Sequence, residues 1–169
     1  MIIYDTCRTK IGNLRFIFEE NDQLRRIVLT DDHWHTITAK HTTKRSHELG
    51  KPVCQQFQQY FQGNVRQFDI PFKLKGTPFQ KQVWYALLQI PYGQIKTYSD
   101  VAAFIERPNA IRAVGRAIAV NPLPILIPCH RVIGRNKKLT GYAGGVEMKK
   151  QLLEIEGNNI FDKAAISIL

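Results

Sequence analysis

Residues Asn121 to Gly134 read NPLPILIPCHRVIG, and no other stretch restricts its own backbone as strongly. Pro122, Pro124 and Pro128 lack amide donors and push the residues before them out of the helical region, so the run cannot be an ordinary helix. Its aliphatic residues Leu123, Ile125, Leu126 and Ile127 favour burial. The sequence therefore predicts a stiff, buried loop that holds Cys129 in place, with His130 and Arg131 directly after it.

At 169 residues the chain is long enough for one sizeable core, or for a small domain fused to a larger one. Its 44% hydrophobic and 22% charged residues are those of a globular protein rather than a disordered one. Lys and Arg number 24 against 14 Asp and Glu, a net charge of +10, which favours polyanionic partners: nucleic acid first, an acidic membrane surface second. From Arg107 through Gly145 there are basic residues at 107, 112, 116, 131, 135, 137 and 138 and no acidic ones, and Cys129 lies inside that segment. Taken alone, such a run is equally a solvated basic face.

The opening MIIYDTCRTK has no apolar core long enough for a secretory signal, and no stretch approaches membrane-spanning length. A cytoplasmic protein is expected, nuclear if eukaryotic, with no membrane partner. Cys7, Cys54 and Cys129 are odd in number, widely spaced and form no C-x-x-C pair, so neither a disulfide framework nor a zinc ribbon is indicated. A metal site from His33, His35 and Cys7 fits no standard ligand spacing, and neither metal nor cofactor is expected.

Apolar and polar residues alternate on both sides of the turn-like EEND, which predicts a β-hairpin from about Leu14 to Leu29. The polar stretch 30–50 lacks periodicity and reads as a surface loop. Val53, Phe57, Tyr60 and Phe61 fall at helical spacing between Pro52 and Gly63, with Cys54 packing beside them. NVRQFDIPFKLKG then reads as a last strand plus linker, which places a domain boundary near Lys75 or Gly76. Thr77 and Pro78 open a second helix whose buried face carries Phe79, Val83, Leu87 and Leu88.

Two short helical patterns follow, one capped by Ser99 and one begun at Pro108, and together they make a candidate helix-turn-helix. In the second, Ala110, Ala113 and Ala117 form a stripe of small residues beside Gly115, with Arg112 and Arg116 four apart. Such a stripe either admits an anionic backbone or packs on another helix. A last helix carries Met148, Leu152 and Ile155 and stops at Gly157. Glu156 sits at its C-terminal end, where the helix dipole disfavours a carboxylate, so a cationic or imidazole partner is expected.

The thiolate is the nucleophilic form of cysteine, and a free thiol titrates near about 8.5. Adjacent imidazole and positive charge would lower the pKa of Cys129. From the residues alone, Cys129 is equally a reactive thiol or a buried structural one.

RAVGRAIAVNPLPILIPCHRVIG followed by GYAGG resembles the O6-alkylguanine-DNA alkyltransferases, with PCHRV the most specific element and the match running from about Thr77 to Gly157. The resemblance implies an α/β (α+β) protein. A ribonuclease-H-like sheet-and-helix domain over 1–75 would support a mostly helical domain over 76–169, which carries a winged-helix-like helix-turn-helix and the alkyl acceptor. It also implies direct-reversal repair by a monomer whose partner is double-stranded DNA containing O6-alkylguanine, and O4-alkylthymine as well. The alkyl group would pass irreversibly to Cys129, once per molecule.

By motif position, His130 takes the thiol proton through a water, Glu156 orients the imidazole and Asn121 holds the network. Arg112 fills the gap left by the flipped nucleotide, Tyr98 pushes the phosphate and donates toward the base, and the helix bearing Ala113 enters the minor groove. Arg116 is given only general phosphate contact. Carbonyls of Val132 and Cys129 would read the guanine amino group, while Tyr142, Ala143, Gly144 and Pro124 shape the pocket. Some family members bind zinc in the N-terminal domain, and no matching ligand set is found here.

Three other readings compete. A lesion-binding relative carries tryptophan in place of the acceptor cysteine, which Cys129 opposes. A helix-turn-helix regulator leaves IPCHRV and Glu156 unexplained, and a cysteine hydrolase leaves the basic alanine helix unexplained.

Overall fold

Leu14, Phe16 and Phe18 alternate with Arg15 and Ile17 along one strand, and both faces of that strand find cover. The computed structural model describes residues 1–159, which divide into two compact units, Met1–Leu74 and the chain from Lys75 onward.

In the first unit, β1 (Ile2–Thr9), β2 (Gly12–Phe18), β3 (Leu24–Val28) and β4 (Thr43–Arg45) form one sheet in the order β3-β2-β1-β4. The β1–β2 and β2–β3 pairs are antiparallel and β1–β4 is parallel. The expected hairpin is β2–β3, turning through Glu19–Gln23. On one face Phe16 meets Phe57 of α2 (His47–Phe61), with ring centroids 5.0 Å apart. On the other, Ile17 and Val28 pack with Trp34 of α1 (Asp31–Thr38).

The stretch 30–50 is therefore not a loop. Thr30 caps α1 by accepting from the His33 amide, and burial of Trp34 anchors a helix whose polar composition hid it. The strand β4 and the first turn of α2, capped by Ser46, complete the segment, and Pro52 lies inside α2 rather than near its start. Conversely, no regular strand forms over 64–75. Phe72 makes a single bridge to Leu24, whose N–H and C=O bond Pro71 O and Lys73 N–H, and Pro71 cannot extend the ladder.

Cys7 of β1 and Cys54 of α2 are joined in a disulfide with Cα atoms 5.4 Å apart, which corrects the expectation of free, packing thiols. Spacing in sequence could not show that strand and helix bring them face to face. The bond also removes Cys7 from the ligand set with His33 and His35. Among the described residues no cluster of three His, Cys, Asp or Glu is placed to hold a metal ion, and no helix is long and apolar enough to cross a membrane.

In the second unit, Thr77 and Gln80 form a capping box on α3 (Pro78–Leu88). Its buried face is Val83, Trp84, Ala86 and Leu87, whereas Phe79 and Leu88 are only half-buried. The next helix, α4 (Tyr98–Phe104), is capped by Thr97 with Asp100 rather than by Ser99. Pro108 lies in the turn before α5 (Ile111–Ala119), so α5 starts later than the proline suggested. Ala117 is buried and its carbonyl accepts from Trp84 Nε1 at 2.9 Å, while Ala110 and Ala113 remain half-exposed. A short parallel pair, β5 (Lys96–Thr97) and β6 (Val132–Ile133), links the loop to α4, and α6 (Val146–Ile155) closes the unit.

Gly50 in α2 lies against Asp5, a buried carboxylate bonded to Arg45 Nε at 2.7 Å and His47 Nδ1 at 3.2 Å. A Cβ at Gly50 would sit 2.2 Å from Asp5 Cβ. Helix propensity alone would favour Gly50→Ala by about 1 kcal/mol, but the clash outweighs it. The variant should lose about 1–3 kcal/mol of unfolding free energy, read as a lower denaturant midpoint, whereas a higher midpoint would show that Asp5 yields without cost.

Candidate active site

The proline run folds as a buried loop, with Pro122 through Gly134 all buried. Asn121 staples it: its Nδ2 donates to Ile127 O at 2.9 Å and its Oδ1 accepts from the Leu123 amide at 3.0 Å. Ile127 N–H donates to Leu123 O, and Ile125 takes a left-handed φ of 75° to let the chain reverse. Cys129, His130 and Arg131 then form a single 3₁₀ turn whose first amide donates to Ile127 O.

Glu156, the residue that ends α6, gathers this turn. Its Oε2 accepts from His130 Nε2 at 2.8 Å and from Arg131 Nη2 at 2.9 Å, and its Oε1 accepts from Arg131 Nε at 2.7 Å. Arg131 Nη1 also donates to Ile90 O at 2.6 Å, just past α3. The Glu156 and His130 side chains are fully buried. The sequence called for a cationic or imidazole partner at Glu156, and the structure supplies both. Arg131 was missed as a site residue, although its place next to His130 was the available signal.

Burial would raise the pKa of Glu156, but the hydrogen bonds and charges of His130 and Arg131 hold it well below the carboxylate range. Burial pushes His130 down despite the neighbouring carboxylate. An ionised Glu156 can only accept, so a neutral His130 must carry its proton on Nε2. Nδ1 is left as a buried lone pair with no partner among the described residues, the arrangement of a base waiting for a proton.

Burial likewise pushes the Cys129 thiol above its ordinary value, opposed by a hydrogen bond from Asn121 and the charge of Lys149. This reverses the expected lowering. Arg131 spends its charge on Glu156, His130 is neutral, and desolvation outweighs what remains.

Cys129 opens on a cavity of about 50 Å³ also lined by Tyr98, Asn121, Pro124, Tyr142 and Ala143. Two larger hollows, about 660 and 480 Å³, are not lined by Cys129 or by any other free thiol. The Tyr142 hydroxyl is buried without a partner among the described residues, and burial raises its pKa well above the usual value. Val132 and Gly144 do not line the cavity: Val132 is buried in β6, opposite Lys96. Arg112 and Arg116 are exposed on α5, opposite its buried face of Val114, Ala117 and Ile118, with Ala113 half-buried beside them. Lys149, which sequence reasoning did not single out, is buried, and its pKa falls to about 8 through desolvation.

The model of the ribonuclease-like domain of 6-O-methylguanine DNA methyltransferase matches residues 2–74, and that of the same family's DNA binding domain matches residues 78–158. The chain belongs to the 6-O-methylguanine DNA methyltransferase family. It is 45% identical over 161 residues to the constitutive methylated-DNA–protein-cysteine methyltransferase of Bacillus subtilis, covering 92% of this chain and 96% of that one. A Methanosarcina barkeri methyltransferase of the same description is 49% identical over 65% of this chain and 70% of its own. The crystal structure of Mycobacterium tuberculosis O6-methylguanine methyltransferase superposes with a TM-score of 0.83 at 37% identity, covering 96% of both chains. A structure of the Mycobacterium tuberculosis protein in complex with DNA gives 0.81 at 36% identity, covering 98% of this chain and 96% of that one. The mixed architecture expected of this family is the one observed.

Glu156→Gln should destabilise this methyltransferase by about 3–5 kcal/mol at neutral pH, because it leaves the Arg131 charge buried and unpaired. The folded pKa of Glu156 is depressed, so its stabilisation is complete above its ordinary value of 4.5 and is lost as pH falls below that. Denaturant midpoints of the two proteins should converge on acidification from pH 7, and a constant gap would contradict the buried pair.

Proposed function

We infer that the chain repairs DNA by direct reversal, as a methylated-DNA–protein-cysteine methyltransferase that moves the alkyl group of O6-alkylguanine onto Cys129. The observation that carries this reading is a cavity-lining thiol in the same 3₁₀ turn as a neutral histidine whose free nitrogen is a lone pair. His130 Nδ1 takes the thiol proton through a water, Glu156 stabilises the imidazolium that results, and Asn121 orients the thiol. The thiolate attacks the alkyl carbon, the C–O6 bond breaks, and its electron pair stays on the guanine. A guanine oxyanion leaves poorly unless its charge is neutralised as it develops. Tyr98 donates to the base, and the Ala143 amide assists at O6.

A thioether has no route back to a thiol here, so each molecule acts once. O4-alkylthymine is a second substrate, handled by the same displacement. A base inside a duplex cannot reach a buried thiol, so the nucleotide leaves the stack at a cost of a few kcal/mol. The exposed face of α5 enters the minor groove, where Ala110 and Ala113 permit close approach, Arg112 fills the gap and Arg116 contacts phosphate. The Val132 and Cys129 carbonyls read the guanine amino group, and Gly144 shapes the pocket together with Tyr142, Ala143 and Pro124. The 76–169 domain thus carries both DNA binding and acceptor, and the 1–75 domain supports it. The protein works in the cytoplasm, or in the nucleus if eukaryotic.

After incubation with a duplex containing one O6-methylguanine, intact mass and peptide mapping should show one added CH₂ per molecule, on Cys129, and none in Cys129→Ser. An unmodified protein that still binds the lesion would mean recognition without transfer. Arg112→Ala should slow transfer from duplex by about tenfold or more, the equivalent of ~1.4 kcal/mol, and slow transfer from a single strand far less. Equal slowing on both would remove Arg112 from the flipping step.

A further inference from the structure

Behind Tyr98 stands a polar chain that the mechanism above does not use. The Tyr98 hydroxyl lies 2.5 Å from Thr140 Oγ1. Thr140 in turn accepts from Lys149 Nζ at both its hydroxyl and its carbonyl, each at 3.4 Å. Lys149 is 1% exposed. The Thr140 methyl is equally constrained: a Cβ on Gly134 would lie 2.8 Å from Thr140 Cγ2, so the glycine makes the space that the methyl fills. With its methyl wedged there, the Thr140 hydroxyl is aimed at Tyr98 and Lys149.

The chemistry of the three groups fixes Lys149 as a donor and makes one direction of the Tyr98–Thr140 bond productive. An ammonium only donates, so Lys149 takes up one acceptor site of Thr140 Oγ1 and leaves the Thr140 proton available to the Tyr98 oxygen, in a bond where either oxygen can be the donor. A phenol that accepts from Thr140 has its own proton free for the cavity, where Cys129 and the base would meet. A phenol that instead donated to Thr140 would have no proton to offer.

We propose that Thr140 is a positioning residue for alkyl transfer: held by Lys149 and Gly134, its hydroxyl donates to Tyr98 and keeps the Tyr98 proton directed at the flipped base. This rests on the reading of Tyr98 as the donor. The transfer itself is unchanged in its balance. Sulfur forms the bond to carbon, the C–O6 bond breaks, its pair stays on guanine, and the Tyr98 hydrogen bond meets the charge that appears there.

The test is single-turnover methyl transfer from O6-methylguanine duplex by the full chain, with lesion affinity measured in parallel on a Cys129→Ser background. Thr140→Val, which removes the hydroxyl at nearly constant shape, should slow transfer roughly tenfold or more, the order of one lost hydrogen bond, with lesion affinity unchanged. Thr140→Ser should recover most of the rate. Gly134→Ala keeps every polar group but displaces the Thr140 methyl, and it should reproduce the loss. It also serves as the test if Thr140→Val fails to fold.

In a Tyr98→Phe background neither Thr140→Val nor Gly134→Ala should have further effect, whereas a merely structural role would slow transfer again by the same factor. A Thr140→Val or Gly134→Ala protein that transfers at the parental rate, or whose loss multiplies with that of Tyr98→Phe, overturns the proposal. Transfer unimpaired by Tyr98→Phe itself would instead overturn the underlying assignment of Tyr98.

Discussion

One carboxylate organises the chemistry of the second unit. Glu156 stands at the end of α6 and receives three hydrogen bonds from the 3₁₀ turn that contains Cys129, and Arg131 extends the same network to the carbonyl of Ile90. Burying such a pair costs solvation that hydrophobic side chains of similar volume would not, so its presence is not explained by stability. Its product is a single protonation pattern. An ionised acceptor on one side of the imidazole forces the proton onto Nε2 and leaves Nδ1 basic, and Arg131 keeps the carboxylate ionised while the histidine stays neutral.

The resting thiol is the counterpart of that arrangement. A cysteine at the surface beside positive charge would be a standing target for any electrophile. Cys129 is buried, its pKa is raised, and its wall is a proline loop stapled by Asn121. It is held mostly protonated and reachable only through a small cavity, so reactivity belongs to the group that is delivered rather than to whatever diffuses past. The neutral base and the protonated thiol are two results of the same desolvation.

Much of this was legible in the chain. The prolines dictated a buried loop, Thr77 and Pro78 marked the start of α3, and the unfavourable place of Glu156 demanded the partners it has. What stayed hidden was whatever depended on distant residues meeting. Cys7 and Cys54 are 47 positions apart and pair because β1 lies on α2. Buried Trp34, with Ile37 packed partly buried against the same cluster, holds α1 in a mostly polar stretch, and two apolar residues three apart are too few for amphipathic periodicity to register. The sign of the shift at Cys129 also inverted, because sequence adjacency counted the charges nearby and could not count the solvent removed. Lys149 is the same case: a lysine in a polar helix reads as solvated until its neighbours are known.

The two tryptophans of the chain are divided between the units, Trp34 against the sheet of the first and Trp84 in the core of the second, bonded through its ring nitrogen to the carbonyl of Ala117 on α5. Indole emission depends on burial and on the ring N–H partner, so the protein carries two native optical labels that report on different halves. With Trp34 replaced by phenylalanine, the remaining emission belongs to the residue that touches α5. Movement of that helix becomes visible in solution without any attached dye.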